Sequence, residues 1–512
     1  MRTRTRLTRR PAARRLSWRC SVSACRKKGR CEHWRRHCSC ANLPGHGNQF
    51  ASHGPRSRRV FGARRIEAMA TRTHAISKRS LTRRAFVGGA AAALAAPALL
   101  RSPRGAAAAI QLDFTVWNYA VDIIQDNINR FQEKYPDITV KLSDFAWPQF
   151  HETMVNRFRS KTPTDVTYNG GNWLEEFAAA GWVVPLEDYF DWAKSYQDKV
   201  LGFAWQDMTY QGKVYGLPYY ADTITFMYNA KILEDAGISA PPQTWEEVTE
   251  QSLQLKERGI QYPFVYEFAN TLPNVSEAFA SMVFGRGGEL IDEQKNPLWT
   301  DPESAAAKQF RWLVEAKNEH QILTILPHET DIVKAMNTGQ HVFTVMFNYN
   351  LAALNNAATS PLAGQFKIAL MPGETHECYG FAKFYNMTQM AVDRGQEVID
   401  ACGKFIQYFG GEVDGQYPVA KRWAVEQGLG FGQKPLFDDP EVREAFSKWI
   451  DVDLWLQQLN LARARRQAIW YGIWSEGFHP LLGQALAGEI SVEDALKQAA
   501  DQWNELKQRV EG

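Results

Sequence analysis

LDFTVWNYAVDIIQDNINRFQEKYPDITVKL, residues 112–142, is the stretch on which the fold turns. Leu112 to Trp117 alternates and is rich in β-formers. Val121 to Lys134 then sets Ile123, Ile124, Ile128 and Phe131 at helical spacing, and Tyr135-Pro136 stops that helix. Thr139 to Leu142 reads as the next strand. The alternation continues with a helix over Phe150 to Arg159, a short strand at Asp165 to Tyr168, the turn Asn169-Gly170-Gly171-Asn172 and a helix from Trp173. Strand and helix in turn argue for an α/β protein with a parallel sheet and helices on both faces. Ligands of such sheets sit beyond the carboxyl ends of the strands, which places Trp117 to Tyr119, Phe145 to Gln149 and Asn169 to Trp173 on one rim.

A second α/β unit begins after Gly212 to Pro218. It runs through the strand-like Thr223 to Tyr228 to a helix that Thr244 can cap with Glu247 three residues on. Further β-rich segments are Gly339 to Phe347, which ends in Asn348-Tyr349-Asn350, and Phe381 to Val392. Pro440 to Leu506 is helical in pattern, with a capping signal at Ser491 to Asp494. The absence of a low-complexity linker implies two lobes between which the chain crosses more than once.

The 512 residues carry a net charge of +3, but residues 1–109 hold 26 of the 59 Lys and Arg and only two acids, Glu32 and Glu67. The remainder has 33 basic against 54 acidic groups, a net of −21. So acidic a body repels phosphate backbones and anionic lipid, which excludes nucleic acid and membrane surfaces as partners. Arg83-Arg84 stands directly before the apolar run Ala85 to Leu100, and Ala106 to Ala109 suits a signal peptidase. Residues 69–109 thus resemble a twin-arginine export signal, too short and Ala-rich for a spanning helix, and without a Cys for a lipid anchor. Residues 1–68 are Arg-rich, with Cys20, Cys25, Cys31, Cys38 and Cys40 at irregular spacing. They read as an extension ahead of the true start at Met69 rather than a zinc site. Cys378 and Cys402 remain in the exported body, as a disulfide or as two buried thiols.

The P-loop, the G-x-G-x-x-G turn, the G-x-S-x-G elbow and H-E-x-x-H are all missing, and the histidines are scattered singly. No catalytic residue, cofactor or metal is therefore expected. Aromatic and amide side chains gather instead at strand ends: Trp117-Asn118-Tyr119, Trp147, Asn172-Trp173, Tyr219-Tyr220 with Asp222, Asn348-Tyr349, and Trp470-Tyr471 with Trp474. Aromatic rings stack on the C–H faces of sugars, and amides and carboxylates pair with hydroxyls, so such a lining suits a polyhydroxylated ligand.

From Thr162-Pro163-Thr164-Asp165-Val166, through Ala179 to Leu186 and Gly212 to Pro218, to Met227-Tyr228-Asn229 and Pro242 to Glu247, the chain resembles the extracellular solute-binding proteins of ABC importers. The likeness is to their carbohydrate-binding branch, which includes the maltose- and glycerol-phosphate-binding proteins. That resemblance implies a two-lobe clamp in the periplasm, a monomer hinged near Tyr219 to Thr223, which closes on a sugar and presents it to a membrane permease without covalent chemistry. Lobe 1 would comprise 110–221 with about 378–435, and lobe 2 would comprise 222–377 with about 436–512. Asn169, Asn172 and Trp173 would be first-lobe contacts, Asp222 the carboxylate at the crossover, and Glu267, Asn270 and Tyr349 second-lobe contacts. Trp474 with Glu476 would form the C-terminal stacking position. Trp117, Asn118, Trp147, Tyr220 and Gly380 complete the candidate set. Asn172-Trp173 stands where maltose binders carry a charged pair, which argues against maltose itself. Two other readings are an exported carbohydrate hydrolase using Asp222 with Glu267 or Glu476, and the same clamp holding a polyamine or other small cation.

Overall fold

The computed structural model describes residues 109–269 and 274–511. Residues 69–108 of the stretch read as an export signal, the Cys-bearing residues 1–68 and Asn270 lie outside the described residues. Eleven strands are described: β1 Ile110–Trp117, β2 Ile138–Phe145, β3 Val166–Gly170, β4 Thr209–Tyr210, β5 Lys213–Val214, β6 Gly216–Asn229, β7 Phe264–Glu267, β8 Leu323–Leu326, β9 Phe343–Phe347, β10 Phe366–Ala369 and β11 Gly380–Met387. β1 pairs in parallel with β2 from Ile110 opposite Ile138 to Trp117 opposite Phe145, and with β3 through Phe114 opposite Val166. β11 lies antiparallel to β3 and to the first half of β6. The second half of β6 pairs antiparallel with β9, which runs parallel to β7, and β7 parallel to β8; β10 lines the other side of β6.

The expected parallel sheet is therefore mixed where the chain crosses. β6 leaves the first strand set for the second and β11 returns, so these long strands must oppose their neighbours. The sequence reading marks only Thr223 to Tyr228 as strand-like, whereas one 14-residue strand spans both strand sets and exchanges β11 for β9 between Thr223 and Ile224. Pro218 is tolerated inside it because the register against β11 slips by one residue there: Lys383 faces Tyr220 and Phe384 faces Pro218. A bulge is where a strand can accept a residue with no N–H to donate. The strand expected over Phe381 to Val392 is cut short as well. Thr388 accepts the amide of Ala391 and starts the helix Gln389–Asp393, so a local cap overrides the β-rich composition.

The helices obey their spacing. Val121–Lys134 buries Ile124, Asn127, Ile128 and Phe131 on one stripe, and Tyr135-Pro136 ends it as expected. Thr244 caps Trp245–Glu257 through the amide of Glu247, while the Glu247 side chain reaches back to the amide of Gln243. One core forms around Phe114, whose ring meets Tyr168, Tyr385, Phe405 and Phe409. A second forms around Trp245, packed on Phe226, Phe264 and Trp312. Cys378 and Cys402 are both buried free thiols, and burial pushes both up from the ordinary thiol range.

Candidate functional site

Two walls of side chains meet around the point where β6 changes partners. The first is built on the ends of β1, β3 and β11. Trp117, nearly buried at the end of β1, stands edge-on to Trp147 at a ring-centre distance of 5.1 Å. Trp147 is 42% exposed and lies 5.2 Å from Trp173, with 33° between the rings. Lys383 extends from β11 over both indoles, at 5.3 Å from Trp147 and 5.6 Å from Trp173, and its ammonium donates to Asn172 Oδ1 at 3.1 Å. Gly170 and Gly171 admit this arrangement. A Cβ at Gly170 would meet the Lys383 side chain, and one at Gly171 would run into the Asp207 carboxylate. Asp207 accepts the Ala382 amide at 2.8 Å and the Gln467 side chain at 3.2 Å; burial, only partly offset by that amide and by Lys383 and Arg465, pushes it up to about 6.

The second wall lies at the ends of β7 and β9. Tyr349 stacks on Phe347 at 5.7 Å with 8° between the rings, and donates its hydroxyl to Glu329 at 2.7 Å. Asn350 donates to the same carboxylate oxygen at 2.6 Å, and Glu267 accepts the Glu329 amide at 3.1 Å. Between the walls, buried Asp222 accepts the Thr223 amide at 2.8 Å and the Tyr220 hydroxyl at 2.9 Å. Desolvation outweighs those bonds and pushes Asp222 up to about 7. The walls form one electrostatic site. Burial raises the Tyr220 hydroxyl and the charges of Asp222 and Glu329 raise it further; burial also raises Glu277, which Lys383 and Arg465 oppose and Glu329 reinforces.

Of the residues expected from sequence, the structure brings Trp117, Trp147, Asn172, Trp173, Tyr220, Asp222, Glu267 and Tyr349 to these walls. Asn118 is exposed beside them, its amide tied to the Phe145 carbonyl. Three expectations are corrected. Asn169 is fully buried, with its side-chain oxygen turned back onto the Gly170 amide, because an interior position of β3 leaves it no path to the rim. Gly380 serves packing: a Cβ there would lie 2.6 Å from the Phe203 ring. Trp474 is 1% exposed and stacks between Trp299 at 4.9 Å and Phe478 at 4.8 Å, its indole N–H donating to the Ala499 carbonyl, so it is core. Glu476, two residues on in the same helix, is exposed.

Sequence reasoning passed over Lys383, Asp207, Glu277, Glu329 and Arg465. A usable signal existed only for Lys383, the one charged residue in a strand that is apolar and aromatic apart from Asn386. Among the described residues no three His, Cys, Asp or Glu are grouped to hold a metal ion, and no helix is long and apolar enough to cross a membrane.

This is the architecture of a two-lobe α/β clamp with its polar groups gathered where the strands cross. Residues 118–411 match the model of the bacterial extracellular solute-binding protein family, and the chain belongs to that family. A binding protein of Brucella abortus is 26% identical over 187 residues, which cover 36% of this chain and 44% of that protein; this chain thus spans under half the length of that relative. The diacetylchitobiose-binding protein DasA of Streptomyces coelicolor is 24% identical over 336 residues, 62% of this chain and 74% of its own. The solved sugar-binding protein MalE of Xanthomonas citri superposes with a TM-score of 0.67 at 18% identity, over 78% of this chain and 98% of its own, a likeness of fold.

Proposed function

We propose that this chain is the substrate-binding component of an ABC importer, which captures a sugar or oligosaccharide between its walls and delivers it to a membrane permease. The observation that carries the reading is the indole pair of exposed Trp147 and partly buried Trp173, flanked by Asn172 and Lys383 and facing the Tyr349, Glu329 and Glu267 group across Asp222. Flat apolar faces beside hydroxyl-pairing groups are what a carbohydrate ring requires. Relatives described as binding diacetylchitobiose and other sugars support the same class.

On this reading the first lobe is 110–221 with about 378–435 and the second is 222–377 with about 436–512. The exchange of strand partners between Thr223 and Ile224 supports a hinge at Tyr219 to Thr223. The protein works as a monomer in the periplasm, exported by its Arg83-Arg84 signal. Closure traps the ligand, and the closed shape is what the permease reads. No bond is made or broken.

A thermal-shift screen over oligosaccharides, polyols and polyamines tests this, because a ligand that binds only the folded state raises the melting temperature. Trp173→Ala should then weaken the best oligosaccharide about 10- to 100-fold, about 1–3 kcal/mol, since ring faces at the centre of a site carry much of the binding energy. Preferential stabilisation by a polyamine, or hydrolysis of the bound glycan, would overturn the reading.

A further inference from the structure

A cavity of about 590 Å³ adjoins this site. Its lining includes Gln206, Tyr210 and Gln211 together with Arg465, Arg466 and Gln467. Gln467 links it to the central site by its bond to Asp207. The carboxylates around it are committed or at its edge: Glu175 is paired with Lys295 at 2.6 Å, Asp292 accepts both the backbone and side-chain nitrogens of Asn296, and Glu293 is exposed.

Arg465 is different. It is 4% exposed, and its guanidinium carbon lies over the Tyr471 ring, 3.2 Å from the ring centre. Nε and Nη1 are enclosed and have no hydrogen-bond acceptor among the described residues. The charges of Glu277 and Asp207 act on it, yet neither is hydrogen-bonded to it, and both oxygens of Asp207 are already engaged. A buried guanidinium whose Nε and Nη1 find no acceptor is costly, because their three N–H groups leave water without replacement bonds. Its planar fork, held by Tyr471, suits a planar anion such as a carboxylate.

We propose that this cavity is the subsite for a carboxylate-bearing sugar, a uronate unit of the captured oligosaccharide, and that Arg465 anchors its carboxylate. This rests on the carbohydrate reading above and narrows it: hydroxyls face the acidic end at Asp222, Glu267 and Glu329, and the acid group faces Arg465.

The test is calorimetric titration of the exported protein with trigalacturonate, trimannuronate and a glucuronate-capped xylotriose, each beside its methyl ester, and with neutral maltotriose. The esters keep the sugar and remove the charge. At least one acid should bind tenfold or more tightly than its ester. Arg465→Met should erase that preference while leaving the melting temperature of the free protein unchanged or higher, because the substitution removes a buried cation two of whose nitrogens have no acceptor. If esters and maltotriose bind as well as every acid, the uronate subsite is overturned and sugar binding stands. If no glycan binds, both readings fail. A melting temperature that falls by several degrees in Arg465→Met, with the acid preference intact, makes Arg465 a structural cation and overturns the anchor. The acid-to-ester comparison on the unsubstituted protein decides the proposal even if the variant does not fold.

Discussion

Two tryptophan clusters use the same side chain for opposite purposes. Trp117, Trp147 and Trp173 sit where β1 and β3 end, with a lysine lying across the outer two indoles and an asparagine holding that lysine. Trp299, Trp474 and Trp503 pack against one another and Phe478, each at most 3% exposed, and the indoles of Trp474 and Trp503 donate to the backbone carbonyls of Ala499 and Lys295. The difference is in what surrounds the rings. Where charged and amide groups lie over an indole face, part of that face stays open to a ligand; where rings cover every face, the indole is core. Among the described residues one ion pair joins the two regions. Lys295, held in a left-handed turn with its carbonyl on Trp503, reaches Glu175 on the helix that carries Trp173.

The strongest break of this contrast is Trp474→Ala. Emptying a fully enclosed indole site should cost about 3–5 kcal/mol of stability, read from the denaturant midpoint, with ligand affinity of the folded fraction unchanged. A lost affinity with an intact midpoint would return Trp474 to the binding site.

Asp222 sharpens the polar side of the comparison. Its pKa is raised, so the folded state holds a proton that the unfolded chain releases, and its contribution to stability is present below about pH 4 and lost as pH rises through about 7. Without ligand, Asp222→Asn should match the parent protein near pH 4.5 and exceed it by about 1–3 kcal/mol at pH 8. Denaturant midpoints across that range decide it. A gap that does not widen with pH would mean Asp222 is charged throughout.

The smallest effect is expected from Glu175→Gln. The pair with Lys295 is partly exposed, at 12% and 28%, and its loss should cost about 0.5–1 kcal/mol, less at high salt. A larger cost, unaffected by salt, would show that the two tryptophan regions are coupled more rigidly than one ion pair allows.

By itself, the sequence determined the local and periodic features. The stripe Ile124, Ile128 and Phe131, the stop at Tyr135-Pro136, the cap at Thr244 and the alternation that made the chain α/β all depend on neighbours a few residues apart. It also placed Trp147, Trp173 and Tyr349 beyond strand ends, because the rim positions of α/β sheets follow from strand direction, whereas Asp222, expected at a strand end, lies inside β6. Tertiary structure decided the rest. That β6 is one strand serving two strand sets depends on β11 and β9, which follow it by more than a hundred residues. That Trp474 is core and Trp147 is not depends on Trp299 and Trp503 in one case and Lys383 in the other. Asp207, Glu277, Glu329 and Arg465 occur singly in unremarkable local sequence, and only the folded chain brings their charges into one volume, since Coulombic interaction follows distance in space and takes no account of distance along the chain.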